Sequence, residues 1–497
     1  MTWEVRTLPD RYADSVRLMG IARALRGRDG ISRCEIGMGT PANLAVLAEM
    51  GADAQATPGD VVIAVDGDDG AAQEAFAEAE RMLSSGDGGG SGGQATGDGA
   101  ATARPRSLAA ATATLSGANV ALVSVPGEYA ALEAHRALTR GLHVFLFSDH
   151  VSLEDEIELK RRGAGLRLLV MGPGCGTAML GGVGLGFANV VPEGSVGIVA
   201  AAGTGAQEVA CLVAEAGGGV SQIIGVGGRD LSEEVGGLAF RQALAMLGED
   251  ERTETILLVS KPPAGSVVRA LEDALPAGKR AVAAFVGLRD GGASYEIHDT
   301  LEAGALAAVG ASRADVSRLE RAVDEARDRT RGRRVLGLYS GGSLAHEAVT
   351  ILEEALGPVA GNVSSHGGDD GDPGAHTVLD LGEEEYTQGR PHPMVDLDLR
   401  RGMIEEATAG DDLGCLLLDV VLGHGAHPDP AGELAGAVAA AAERALVIAR
   451  VCGTAQDPQD AGRQTAALQE AGALVAPSNA AAVRLAVRAV RAAGGAA

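Results

Sequence analysis

Lysine is almost missing from these 497 residues: Lys160, Lys261 and Lys279 are the only three, so nearly all positive charge is arginine. A module that grips nucleotide phosphates with lysines, or a Walker A loop, has little to be built from. Positive charge as a whole is short, with Lys+Arg 41 against Asp+Glu 67 and a net charge of −26. Such a surface repels phosphodiester backbones and anionic headgroups, which argues against nucleic acid and membrane as partners. No apolar run approaches the ~18 residues of a membrane span. The start, Met1 to Leu8, has no apolar leader core, so a cytoplasmic location is expected. The five cysteines, Cys34, Cys175, Cys211, Cys415 and Cys452, are odd in number and far apart. Neither a disulfide framework nor a structural zinc site suits them, and no metal is expected. Aromatics are only 2%, so the cores must be aliphatic, and 73 glycines imply many tight turns.

What is present is ordinary globular material, 46% hydrophobic, enough at roughly 150 residues per domain for about three domains. Ser84 to Ala103 reads SSGDGGGSGGQATGDGAATA, a composition that buries too little to order itself and is expected to be a flexible, shortenable linker. Before it, strand-like runs at Trp3–Arg6, Ile31–Met38 and Asp60–Val65 alternate with helical ones at Ala13–Leu25, Ala42–Glu49 and Gly70–Leu83. After it, strands at Asn119–Val125, His143–Phe147 and Arg167–Met171 alternate with helices at Glu128–Thr139 and Leu153–Arg162. The pattern restarts at Val196–Ala200 and, after a charged helix at Ala311–Arg331, at Arg334–Tyr339. Strands separated by crossover helices mean parallel sheets. The expected division is a small α/β domain over 1–83, a linker over 84–104, and parallel-sheet units over 105–190, 191–310 and 334–497, with a helical connector over 311–333.

Three glycine turns follow predicted strands. Gly203-Thr204-Gly205 opens a helix expected near Ala206; Gly227-Gly228-Arg229 ends another strand; Gly341-Gly342-Ser343 opens a second helix. Such turns let backbone N–H groups and a helix dipole converge on an anion, although any strand-to-helix turn favours glycine. The arginine at 229 adds a fork for an oxyanion. Arg390 and His392 share the double-proline loop GRPHPM, and His424 and Gly425 lie in GHGAH after the buried strand Leu416–Leu422. Such imidazoles can bind an oxyanion or move a proton, but loop histidines are as often plain surface. Cys175, in Gly172-Pro173-Gly174-Cys175-Gly176, is expected to pack rather than react.

Taken together these passages resemble the succinyl-CoA synthetase superfamily, and within it the FdrA-type members. Val123 to Leu180, with VSVPGEYA, FLFSDHV and MGPGCGTAM, resembles the later half of the family's Rossmann-like CoA-binding domain, its last turn paralleling the synthetase G-P-N-C. Val190 to Ala283, with GIVAAAGTGAQE and IGVGGRDLSEEVGG, resembles the first flavodoxin-like ligase domain. Arg334 onward, with VLDLGEEEYTQGRPHPMVD and LLLDVVLGHGAHPDP, resembles the second. The resemblance implies an α/β fold: a small ferredoxin-like domain, a Rossmann-like CoA-binding-type domain and two flavodoxin-like ligase domains.

It also implies roles. Opposed helix N-termini, one after Gly203-Thr204-Gly205 and the other near Gly425 or Gly342, would hold a phosphoryl group together with Gly227, Gly228, Gly341, Ser343 and His424. Arg390, His392 and Arg229 would be catalytic, and Ser124, Pro126, Ser148, Gly172, Pro173 and Cys175 would line a CoA-type pocket. Two family features are missing. Where the family's phosphorylated histidine would fall, the chain reads Tyr295-Glu296-Ile297-His298-Asp299, and the early glycine stretch that grips CoA is absent. CoA is thus the only cofactor implied, and on incomplete grounds. A chain that keeps the phosphoryl cradle without a nucleotide module is expected to take a ready-made acyl phosphate and an acceptor beside companion subunits. FdrA-type proteins are associated with oxamate carbamoyltransfer in allantoin catabolism. The alternatives are an acyl-CoA synthetase working with a separate ATP-grasp subunit, and a non-catalytic scaffold.

Overall fold

The computed structural model describes residues 3–11, 13, 15–26, 28, 30–85, 105, 107–289, 295–326, 332–363, 375–387, 391–410 and 412–494. The linker predicted at 84–103 falls outside them from residue 86 onward. The described residues form two compact units, one ending at Ser85 and the other beginning at Pro105.

In the first unit the β-branched run Val61–Gly67 is the central strand, flanked antiparallel by Trp3–Leu8 and Ile31–Met38. Helices Ser15–Arg26 and Asp69–Ser85 bury Leu18, Leu25 and Phe76 against Ile36, Ile63 and Val65. A third strand seated between the first two gives the split βαβ of a ferredoxin-like unit, three strands of it among the described residues.

The second unit contains three sheets. Val120–Val123, His143–Leu146 and Val170–Met171 pair in parallel in chain order. Five parallel strands then run Val220–Gly225, Glu193–Ala201, Thr255–Ser260, Arg280–Phe285, Glu296–His298 across the second sheet. The third runs Thr377–Asp380, Arg334–Tyr339, Leu413–Val421, Leu446–Cys452, Leu474–Ala476. Numbered within each set, both follow the flavodoxin order 2-1-3-4-5. One feature differs from the sequence reading: Thr177–Leu180 and Val183–Gly186 form a hairpin that pairs antiparallel with Val220–Gly225, extending the second sheet to seven strands. The charged connector forms helix Ser317–Ala326, and residues 327–331 lie outside the described set.

A continuous apolar layer joins the two flavodoxin-like sheets. Ile198, Leu257 and Val259 of one sheet and Val335, Tyr339 and Leu417 of the other share a cluster with helices Gly203–Glu215 and Gly342–Leu356. Charge is buried in this layer too: Arg450 Nε lies 3.0 Å from Glu208, and Glu347 accepts from Leu301 N–H at 2.7 Å and from Asn479 at 2.8 Å. Burial pushes the Glu347 carboxyl up to about 7. The packing matters for function because it fixes how the starts of the two helices meet.

Among the described residues no helix is long and apolar enough to cross a membrane.

Candidate active site

In each flavodoxin-like sheet the first and third strands are neighbours whose connections leave to opposite sides, and ligands bind beyond the carboxyl ends of strands at such a switch point. Ala201 leads into Gly203 and Ser260 into Lys261 in one sheet, while Tyr339 leads into Ser340 in the other. These ends open on a single cleft of about 560 Å³, walled also by Phe147, Pro173, Phe187, Asp380, His392 and Met394.

Two helices begin there. Gly203–Glu215 starts after Ala202 and Gly342–Leu356 after Gly341; neither has a side-chain cap or an acidic residue in its first turn. The helix Leu153–Leu166 shows the alternative, where Ser152 accepts from Asp155 N–H and Glu154, Asp155 and Glu156 complement the helix dipole. At the two site helices no side chain of the N-cap takes up the first-turn donors. The two starts touch: a Cβ on Gly341 would stand 2.7 Å from Thr204 Oγ1, and one on Gly205 would stand 3.2 Å from Ser343 Cβ. Two such helix ends in one cleft both direct the positive ends of their dipoles toward it.

Lys261 brings a full positive charge. Its Nζ would lie 3.1 Å from a Cβ on Gly342, at the start of the second helix, and it faces Glu383 at 3.8 Å. Asp380, 3% exposed, ends the short strand Thr377–Asp380, and its Oδ1 accepts from Gly382 N–H at 2.9 Å. Burial pushes its carboxyl up to about 6, with Lys261 opposing the shift. The His392 ring packs tilted at 39° against Phe187 with 5.6 Å between centroids, and its Nδ1 accepts from Met394 N–H at 3.2 Å. That bond assigns the ring proton to Nε2. Burial holds the imidazole down at about 4, so the neutral ring offers its Nε2–H as a donor.

The predicted residues separate accordingly. Gly203, Thr204, Gly228, Arg229, Gly342, Ser343, Pro173 and His392 line the cleft. Gly205 and Gly341 lie directly behind it at the helix contact. Gly227, with φ of 89°, shapes the turn against Pro173. Arg229 is engaged: its Nε pairs with Glu156 at 2.9 Å and an Nη donates to Val151 O at 2.8 Å. His424 and Gly425 belong to a different contact, where His424 N–H donates to Ala188 O at 2.8 Å and Gly425 abuts Phe187. Of the two candidate partners for the Gly203 helix, the structure brings Gly342 to it. Arg390 lies outside the described residues.

Of the CoA-type set, Pro173 lines the cleft and the other members are not part of its wall. Ser124 and Pro126 are exposed, the Ser148 hydroxyl accepts from Val125 N–H at 2.9 Å, Gly172 and Pro173 form a cis turn, and the buried Cys175 thiol, pushed up to about 12, donates to Thr177 O. The loops 124–127, 147–152 and 172–176 at these strand ends contain no lysine or arginine.

Sequence reasoning passed over Lys261 and Asp380. One of only three lysines, directly after the aliphatic run ILLVS, was a usable signal for the first. Nothing local marked the second.

At these paired flavodoxin-like sheets, residues 338–489 match the family described as CoA-ligase. Residues 1–99 match a second family, described as AllF, heavy metal-associated domain. The chain belongs to the family of the uncharacterized protein YahF of Escherichia coli (strain K12), with which it is 36% identical over 515 residues, 96% of this chain and 97% of that one. It is also similar to the succinate–CoA ligase [ADP-forming] subunit alpha of Methanothermobacter thermautotrophicus, 27% identical over 146 residues, or 29% of this chain and 48% of that subunit. A solved structure of the dinucleotide-forming acetyl-coenzyme A synthetase 1 of Ca. Korarchaeum cryptofilum covers 76% of this chain and 82% of its own at 16% identity, with a TM-score of 0.29 that carries no argument.

The name of the N-terminal family refers to heavy metal, but the residues do not fit one. Cys34 is buried in the core with its thiol pushed up to about 12, and no group of metal-ligating side chains occurs among the described residues.

Proposed function

We propose that the protein is the acyl-phosphate-handling subunit of a carbamoyltransferase that converts oxamate and carbamoyl phosphate to oxalurate and phosphate, working in allantoin breakdown beside companion subunits. The observation that carries this reading is the pair of uncapped helix starts at Gly203 and Gly342 with Lys261 beside them. Such a site suits a phosphoryl group already made, and the near absence of lysine leaves little with which to phosphorylate one. The AllF-type N-terminal match and the FdrA-like passage VLDLGEEEYTQGRPHPMVD favour the carbamoyl branch of the superfamily.

In this reading the N–H groups of Gly203–Gly205 and Gly342–Ser343 hold the phosphate, Thr204 and Ser343 add hydroxyls, and the neutral Nε2–H of His392 donates to a carbonyl or carboxylate oxygen. Donors fixed in place before reaction stabilise developing charge without reorganising. Arg390 would bind the oxamate carboxylate as a planar fork. Arg390→Lys is expected to lower the transfer rate roughly ten- to a thousandfold at unchanged melting temperature. Full activity in that variant would move carboxylate recognition elsewhere.

The test is to incubate the chain, with and without the proteins encoded beside it, with carbamoyl phosphate and to assay phosphate release against oxamate. Phosphate release that depends on oxamate supports the reading. The likeness to succinate–CoA ligase α subunits favours a second one, acyl-CoA synthesis with a separate ATP-grasp subunit. Thioester formation from ATP, CoA and an acid, without turnover of carbamoyl phosphate, would select it.

A further inference from the structure

We propose that Asp380 is the proton acceptor of the transfer, taking a proton from the acceptor's nitrogen as that nitrogen attacks the acyl carbon, with Lys261 and His392 Nε2–H fixing the reacting groups on either side of it. The inference rests on the acyl-phosphate reading above.

The chemistry requires such a group. The nitrogen of oxamate is an amide nitrogen, its lone pair delocalised into the adjacent carbonyl, and it is a poor nucleophile while it keeps both protons. As the new N–C bond forms, one N–H proton passes to the carboxylate and the C–O bond to phosphate breaks, its electron pair leaving on the phosphate oxygen. The proton then passes from the carboxyl group to the departing phosphate or to water. Nothing is oxidised or reduced.

The geometry of the cleft selects Asp380 for this step. His392 is committed as a donor, because its Nδ1 is occupied by Met394 N–H. The Asp149 side chain is exposed and its Oδ1 accepts from His150 N–H at 2.9 Å; His150 itself pairs with Glu384 at 2.9 Å. Glu383 stands at the rim opposite Lys261, its side chain 49% exposed. Asp380 is buried and pinned on both sides. Asn362 bonds its backbone N–H and C=O, each at 2.9 Å, and Gly382 N–H holds Oδ1.

That pinning aims the carboxylate at the two catalytic neighbours. A Cβ on Gly342 would fall onto Oδ2, placing that oxygen at the very start of the phosphate-facing helix. A Cβ on Gly382 would lie 3.0 Å from His392 Nε2 and 3.1 Å from Asp380 Oδ1, so the ring donor and the carboxylate converge on one spot. A base beside the phosphate and facing the carbonyl-oxygen donor is where the attacking nitrogen must pass.

The charged and titratable groups facing Asp380 are Lys261 from the neighbouring sheet, Glu383 from its own loop, Asp419 from strand Leu413–Val421 and His392 from the loop after residue 391. Asp419 is compensated by Arg400 at 2.7 Å. Burial, helped by Glu383 and Asp419, outweighs Lys261 and brings the carboxyl up to about 6, a better-matched base near neutrality than an ordinary aspartate.

The experiment uses the full chain with its companion proteins, carbamoyl phosphate and oxamate between about pH 4 and 8, roughly two units either side of the carboxyl. Asp380→Asn is expected to lower kcat about a hundredfold, leave KM for carbamoyl phosphate within a few fold, and abolish the acid limb expected of the wild type near pH 6. Asp380→Glu is expected to regain part of the rate together with the acid limb. Calorimetric binding of inorganic phosphate reports whether each variant keeps the site. Normal turnover in Asp380→Asn, or equal loss in both variants, overturns the inference and leaves the carbamoyltransferase reading standing. A wild-type complex that releases no phosphate overturns both.

Discussion

Replacing Lys160 by methionine is expected to lower the stability of the second compact unit by about 3–5 kcal/mol, the size measured when one partner of a buried ion pair is removed. Lys160 has no exposed side chain. Its Nζ reaches Glu156 at 2.7 Å, Asp230 at 2.6 Å and the Val226 carbonyl at 2.9 Å, so all three ammonium protons are spent. The helix carrying Lys160, Leu153–Leu166, belongs with the three-stranded sheet, whereas Asp230 follows the strand Val220–Gly225 of the seven-stranded one. Deleting the charge leaves two carboxylates behind it without their shared cation. Arg229 still holds Glu156, and the N–H groups of Ala239 and Phe240 still hold Asp230 at 3.2 and 2.9 Å, which keeps the loss within that range. Denaturant unfolding followed by circular dichroism measures it, with Arg488→Gln as the control. The Arg488–Asp324 pair is about half exposed on both sides, and solvent screening is expected to leave it little net contribution. If the Lys160 variant loses no more than that control, the cluster contributes no net stability.

The same cluster illustrates what could be read in advance. Its residues lie on elements legible in the chain, because aliphatic runs such as Ile198–Ala201 and Leu413–Val421 punctuated by glycine turns specify crossover units wherever they occur. Which units face each other is not a local property. The sequence offered glycine turns after both the first and the third strand of the last sheet, at Gly342 and at Gly425. The choice between them was made by packing: Leu344, Ala345 and Ala348 on one helix share a core with Ala206, Val209 and Ala210 on the other. The hairpin Thr177–Gly186 escaped notice because GTAMLGGVGLG has too many glycines to show an alternating face.

Site chemistry was less legible than site location. The arginine at 229 and the histidine at 392 lie in the cleft as the turns suggested, but their states are set by neighbours distant in sequence. Glu156 occupies the arginine, and Met394 N–H with the Phe187 ring makes the histidine a neutral donor. Asp380 shows the converse. Its sequence neighbourhood, VLDLGEEE, reads as an acidic surface loop, and only the approach of Gly342, Gly382 and Lys261 turns one of those carboxylates inward.

That approach yields the second large prediction, a contrast between two glycines that the sequence treats alike. Gly228 and Gly342 both line the cleft and both follow a strand of a flavodoxin-like sheet. A Cβ at Gly228 would meet nothing within 4 Å, whereas one at Gly342 would fall onto Asp380 Oδ2 and stand 3.1 Å from Lys261 Nζ. Asp380 cannot simply swing away, since Gly382 N–H and the Asn362 amide hold it. The methyl must therefore displace Lys261, the helix start, or both, from the position in which they would face a phosphoryl group. Alanine is the better helix former, which offsets part of the strain of that displacement. Gly342→Ala is expected to weaken phosphate binding about a hundred- to a thousandfold, the loss of roughly 3–4 kcal/mol of oriented charge stabilisation, at a melting temperature within a few degrees of wild type. Gly228→Ala is expected to bind phosphate within about threefold of wild type, a change under roughly 1 kcal/mol. Isothermal titration of both variants with inorganic phosphate measures the contrast. Equal affinities would move the phosphate away from the Gly342 helix start, leaving the Gly203 end to hold it without Lys261.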